Sequence, residues 1–138
     1  MTKDEVMALS DEELRIKAGV LSGWHFHAVH EIDGRPQSRG WNRSPTDTAP
    51  ETFVDLPDFV NDIAAAWELV EFVEHERHFT CSIEKNPLNG KWEVSFFGLD
   101  EDSGGMWRAS PFFHAKDSVI ARAITRAFVL AMAEDGRD

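Results

Sequence analysis

The stretch Trp24-His25-Phe26-His27-Ala28-Val29-His30-Glu31 holds half of the chain's six histidines, and chemistry is sought there first. Read as a strand, it projects His25 and His27 from one face with Cβ atoms roughly 7 Å apart, close enough for both imidazoles to ligate one metal ion. Glu31 shares that face, and His30 falls on the other unless a bulge intervenes. Zinc needs three or four converging ligands, so a further group from elsewhere in the chain is required. The competing reading is a strand whose polar face happens to be imidazole, and it is the one preferred: no metal and no other cofactor is expected. His25, His27 and Glu31 remain the alternative site, for a metal-binding or small-molecule-binding protein or a hydrolase built on them.

Other chemistry-bearing residues point less clearly. In Glu74-His75-Glu76-Arg77-His78 the histidines are three apart, which is not metalloprotease spacing. At a helix end, such cations complement the dipole instead. Cys81 lies between Phe79 and Ile83 on an inward strand face and reads as a packing residue. Gly104-Gly105 follows Asp100, Glu101 and Asp102, whose charge would repel phosphate. That acidic turn offers oxygens to calcium but lacks the ligand pattern of an EF-hand loop.

These residues must be positioned by regular elements, and the pattern supplies them. Residues 3–22 read as helix in two pieces, the second opened by Ser10 with Glu13 at capping-box spacing and stopped at Gly23. Leu14, Ile16, Ala18, Val20 and Leu21 form its apolar side. Residues 24–32 alternate as a strand, Asp33-Gly34 is a turn signal, and Arg35–Trp41 returns as a hairpin partner. Residues 42–57 are irregular, long enough to be either mobile or functional.

Asp58–Glu74 is the clearest helix. Ile63, Ala66, Leu69, Val70 and Val73 share its inner face, Glu68, Glu71 and His75 lie opposite, and Asp58 or Asn61 caps it. Strands follow near 78–84, 91–98 and 106–113. Phe79, Cys81 and Ile83 share one face of the first strand, and Trp92, Val94 and Phe96 one face of the second. Pro111 assigns the third to an edge or terminal position. A last helix near 118–133 is capped by Asp117 or Ser118. It turns Ile120, Ala123, Ile124, Ala127 and Ala131 inward and Arg122, Thr125, Arg126 and Val129 outward. Tight turns make antiparallel pairing the default, so the fold class is α+β: a two- or three-layer α/β sandwich with an antiparallel meander packed against helices, spanning 1–138 as a single domain.

Composition narrows the function. With 138 residues, 42% hydrophobic, five tryptophans and ten phenylalanines, the chain can bury a continuous core. No apolar run approaches membrane-spanning length, so no membrane association is expected. The polar, acidic opening Met1-Thr2-Lys3-Asp4-Glu5 reads as neither signal nor transit peptide, and a single cysteine suits a reducing cytoplasm. Twenty-five acidic against 14 basic residues give a net charge of −11, which disfavours general nucleic-acid binding and suits a partner with a basic surface. The plainer reading of that charge is solubility alone.

Three segments carry a resemblance. Leu56–Glu71, LPDFVNDIAAAWELVE, is similar to the central helix of small tailed-phage and prophage proteins with the phage ABA-sandwich domain, whose Asp-Ile-Ala-Ala-Ala-Trp-Glu core is matched by Asp62–Glu68. Leu9–Trp24 resembles their first helix, which ends in Gly-Trp, and Ser118–Glu134 resembles their Ala-rich last helix. The resemblance implies an α/β sandwich and a phage or prophage origin. It supplies no activity and no catalytic residues. The chain departs from it in a longer loop before the central helix and in its histidines.

Trp41, Trp67, Phe72, Trp107, Phe112 and Phe113 cannot all be central core in a domain this small. Exposed aromatics ringed by acids make a protein-binding patch, and Trp67, Glu68, Glu71 and Phe72, with Trp41 on the preceding loop, are the candidate partner-binding residues. The expected function is therefore that of a phage-type accessory protein acting without catalysis, as an acidic inhibitor of a host protein in the host cytoplasm. A homo-oligomeric structural part is the remaining alternative, with the exposed aromatics meeting across a symmetry axis.

Overall fold

The computed structural model describes residues 1–30, 36–101 and 104–136. In chain order the elements are α1 (Lys3–Met7), α2 (Asp11–Leu21), β1 (His25–His30), β2 (Pro36–Asn42), a 3₁₀ turn at Pro50–Thr52, α3 (Ile63–Arg77), β3 (Thr80–Lys85), β4 (Trp92–Glu101), β5 (Trp107–Asp117) and α4 (Ile120–Gly136). β1 and β2 form an antiparallel hairpin, and β3, β4 and β5 form a separate antiparallel meander with β4 in the centre. The fold is α+β, and Pro111 does fall on an edge strand. The expected turn at Asp33-Gly34 lies outside the described residues.

Caps set the helix starts. The Ser10 hydroxyl accepts from the Glu13 amide while the Glu13 carboxylate accepts from the Ser10 amide, and Thr2 and Glu5 repeat the device one helix earlier. Neither Asp58 nor Asn61 caps α3. Asp62 does, accepting from the Ala64 amide at 2.9 Å, while Asp58 closes the preceding turn by accepting from the Asn61 amide. The shift leaves Phe59 and Val60 as buried wedges ahead of the helix, and Ile63, expected inside, in solvent. Of α4's two candidate caps it is Asp117 that accepts from the Val119 amide, and its carboxylate also holds Arg122 and Arg126.

α4 is the hub, packing on β4 and β5 and touching α1, α2 and α3. Here the reading of an outer side fails. Thr125 is 0% exposed and Val129 is fully buried, because neighbours cover α4 nearly all round. The Thr125 hydroxyl lies 2.6 Å from the Phe59 carbonyl and 2.8 Å from that of Ala121, so this buried polar group is satisfied. On α2, by contrast, only Leu14 and Ala18 of the expected apolar set are buried, and Ile16 and Val20 are exposed. The meander presents Phe79, Val94, Phe96 and Ala115 to the helices, so period-two alternation puts every second residue on the opposite face, which is helix-free among the described residues.

Candidate functional site

Those alternate residues line a recess in the sheet. Ser82 and Glu84 from β3, Glu93, Ser95 and Phe97 from β4, and Phe112 and His114 from β5 surround about 430 Å³ open to solvent on the helix-free face. Register fixes who meets whom. Ser95 lies between Ser82 and His114, Glu93 between Glu84 and Lys116, and Phe97 beside Phe112. Phe97 and Phe112 pack with ring centroids 6.1 Å apart, and Phe112 lies nearly parallel to His114 at 6.2 Å. The result is an aromatic floor at one end of the recess and carboxylates at the other.

Glu93 is held in place from both sides. The Asn86 side-chain amide donates to its Oε2 at 3.1 Å, and His114 Nε2 lies 3.1 Å from its Oε1. The Asn86 bond first, then His114 and the charge of Lys116, hold the Glu93 carboxyl below its ordinary range against the opposing effect of desolvation. Glu84 has no ion pair among the described residues and is exposed. Ser95 is 8% exposed, lines the recess, and has no hydrogen bond to its hydroxyl among the described residues. A serine, a histidine and a glutamate are thus neighbours, yet they form no nucleophilic relay. Glu93 holds His114 Nε2, but among the described residues no hydrogen bond joins the imidazole to Ser95, and the amides of a central strand are committed to the ladder rather than to an oxyanion. Two carboxylates beside a flat aromatic surface are equipped to hold a cationic group.

The histidine strand does something else. His27 is 9% exposed and faces inward, whereas Phe26 on the opposite side is 53% exposed, so the imidazole face is the covered one. Its cover is the segment expected to be irregular. Phe53 stacks on His27 with rings 5.7 Å apart and 5° from parallel. It also lies over Gly40, where a Cβ would come within 2.6 Å of the Phe53 Cβ, so only glycine admits the ring. Asn42 ties the segment together, its Oδ1 accepting from the Ser44 amide and its Nδ2 donating to the Asp47 carbonyl and the Thr52 hydroxyl. Val54 then bridges backbone to backbone with Trp41.

His27 Nε2 sits 2.8 Å from both Asn42 Oδ1 and the Ser44 carbonyl. Both are acceptors, so Nε2 carries the proton and is not a free lone pair for a metal. The His25 and His27 ring centroids are 6.5 Å apart, and Glu31 lies outside the described residues. Among the described residues no three His, Cys, Asp or Glu side chains converge on a metal position. Comparison with protein-family models, with curated proteins and with solved structures finds no match.

The expected partner-binding residues are divided. Trp67, 46% exposed, shares the outer face of α3 with the exposed Glu68 and Glu71. Phe72 turns inward and packs edge-on against Phe128 of α4 with centroids 6.1 Å apart. Trp41 belongs to the hairpin, edge-on to Phe26 at 5.3 Å. His75 is exposed, and His78 ends α3 in the left-handed conformation. Burial first, and Glu74 second, push the Cys81 thiol up to about 11, so it is a poor nucleophile. Asp100 and Glu101 belong to β4, with Asp100 3.7 Å from Arg108; Asp102 lies outside the described residues.

The inward faces of the strands do not reveal the recess, which belongs to the alternate residues. The signal was present in Phe96-Phe97 and Phe112-Phe113. Consecutive residues of a strand point to opposite faces, so one aromatic of each pair had to leave the core. Phe97 and Phe112 are those residues.

Proposed function

We propose that this chain is a non-enzymatic binding protein whose helix-free sheet face receives a basic surface of a protein partner. The observation that carries the reading is Glu84 and Glu93 standing opposite each other beside the Phe97–Phe112 floor, in a recess of binding-site size. The net charge of −11 adds long-range attraction for such a partner. The likeness of Asp62–Glu68 to the central helix of phage ABA-sandwich proteins supports a phage or prophage origin. An accessory protein that occupies a host protein in the host cytoplasm, and so inhibits it, is the concrete form of the proposal.

A second surface is favoured by its own observation: Trp67, Glu68 and Glu71 lie exposed together on α3. One experiment separates the two. Immobilised short Lys- and Arg-rich peptides, with acidic controls, are offered to wild type, Glu84→Lys, and Glu68→Lys/Glu71→Lys at low and moderate salt. The sheet-face reading expects basic peptides to bind, more weakly as salt rises, with binding lost in Glu84→Lys and kept in the α3 variant. The reverse pattern moves the site to α3. Equal binding of basic and acidic peptides contradicts both.

A further inference from the structure

Resting on the sheet-face reading, we infer that the recess is an arginine subsite: it takes the guanidinium of one arginine in a partner's surface segment, in preference to a lysine ammonium. Three features of the recess select between the two cations. Its floor is aromatic and open, Phe112 being 55% exposed with His114 lying nearly parallel to it. A planar, weakly hydrated guanidinium stacks on such a surface, whereas a compact ammonium keeps its water.

Its acceptors are spread, not focused. Glu84 is a carboxylate without an ion pair among the described residues, and Glu93 has its two oxygens already engaged by Asn86 and His114. Between this carboxylate pair and the aromatic floor lies the hydroxyl of Ser95, buried except toward the recess and without a hydrogen bond among the described residues. A guanidinium offers five N–H donors in a rigid fork, enough to reach Glu84 and Ser95 together, which the three donors of one ammonium point cannot do while also covering the ring.

Among the described residues no cation pairs with Glu84 either. Glu84 and Glu93 are directly cross-strand, an unfavourable like-charge pair, and Lys116 flanks only the β5 side of Glu93. Lys85, next along β3, is turned away, with its Nζ 5.7 Å from the Trp92 ring. An arginine laid over Glu84 from outside relieves the repulsion.

The test uses three versions of one short peptide, carrying Arg, Lys or citrulline at a single position, titrated calorimetrically against the whole chain. Arg should bind roughly tenfold tighter than Lys, from stacking and the fork geometry, and citrulline, planar but neutral, should bind weakest. Phe112→Ala, at an exposed position where folding survives, should abolish the preference for Arg over Lys while leaving some binding of both. Ser95→Ala should weaken the Arg peptide more than the Lys peptide. Equal affinity for Arg and Lys, or a preference that persists in Phe112→Ala, overturns the arginine subsite and leaves the broader reading standing. Absence of binding by every cationic peptide overturns both.

Discussion

Glu84 of β3 and Glu93 of β4 face each other directly across the ladder on the helix-free side of the sheet. Like charges placed directly opposite each other across a ladder are destabilising. Glu84→Lys is therefore expected to raise the melting temperature slightly while removing affinity for basic peptides. A variant that loses both stability and binding would mean that Glu84 has a structural role instead.

Thr125 offers a sharp test of the interior. Its hydroxyl serves the Phe59 carbonyl from the covered side of α4, so Thr125→Val leaves that carbonyl buried and unpaired. The expected loss is about 1–3 kcal/mol in denaturant unfolding. A change within experimental error would restore Thr125 to the outer face that its helical position first suggested.

Val94, fully buried on the inward face of the central strand, tests the meander. Val94→Asp places an unpaired carboxylate against α4, at a cost of several kcal/mol that rivals the stability of a whole domain. The variant should be unfolded by circular dichroism at room temperature. An unchanged melting temperature would break the strand assignment.

How much of this was legible depended on how local the determinant was. The Ser10–Glu13 box and the inward run Trp92, Val94, Phe96 involve residues a few positions apart, and their spacing alone defines them; spacing narrows the α4 cap only to Asp117 or Ser118, and the Val119 amide selects Asp117. The position of α4 did not follow from its own sequence. Thr125 and Val129 are inside because β4, β5 and three helices surround them, which no single-helix period reveals. The 42–57 segment looked irregular for a related reason. Its order comes from Asn42 and from Phe53 over Gly40, contacts that exist only once the hairpin has formed. Within the partner-binding set, Phe72 is the member that turns inward, because an aromatic on the flank of the apolar arc has Phe128 to pack on.

That strap over the hairpin gives a prediction of its own. Asn42→Ala removes the group that holds the Ser44 amide, the Asp47 carbonyl and Thr52 together, and it leaves His27 one acceptor short. A loss of about 1–3 kcal/mol is expected if the strap unfolds with the domain. If it opens separately, amide exchange at Ser44 and Val54 should accelerate while the global transition stays in place. Unchanged exchange and unchanged stability would together contradict the network.

Cys81 sets an alkaline signature. The folded thiol is raised from 9.0 to about 11, so folding favours the protonated form. Its contribution is complete below the ordinary thiol pKa and declines as pH rises from about 9 toward about 11. In Cys81→Ala this part of the pH dependence should vanish, and alkylation of folded wild type at pH 8 should be much slower than of the denatured chain. Equal alkylation rates would put the thiol in solvent.

The proposed seat of a basic partner is the helix-free sheet face. Its most direct test is chemical-shift mapping of the isotopically labelled chain titrated with a short arginine-containing peptide. Saturable shifts at Ser82, Glu84, Ser95, Phe112 and His114, with Trp67, Glu68 and Glu71 unmoved, are the predicted result. Shifts confined to α3, or none that saturate at any site, would contradict it.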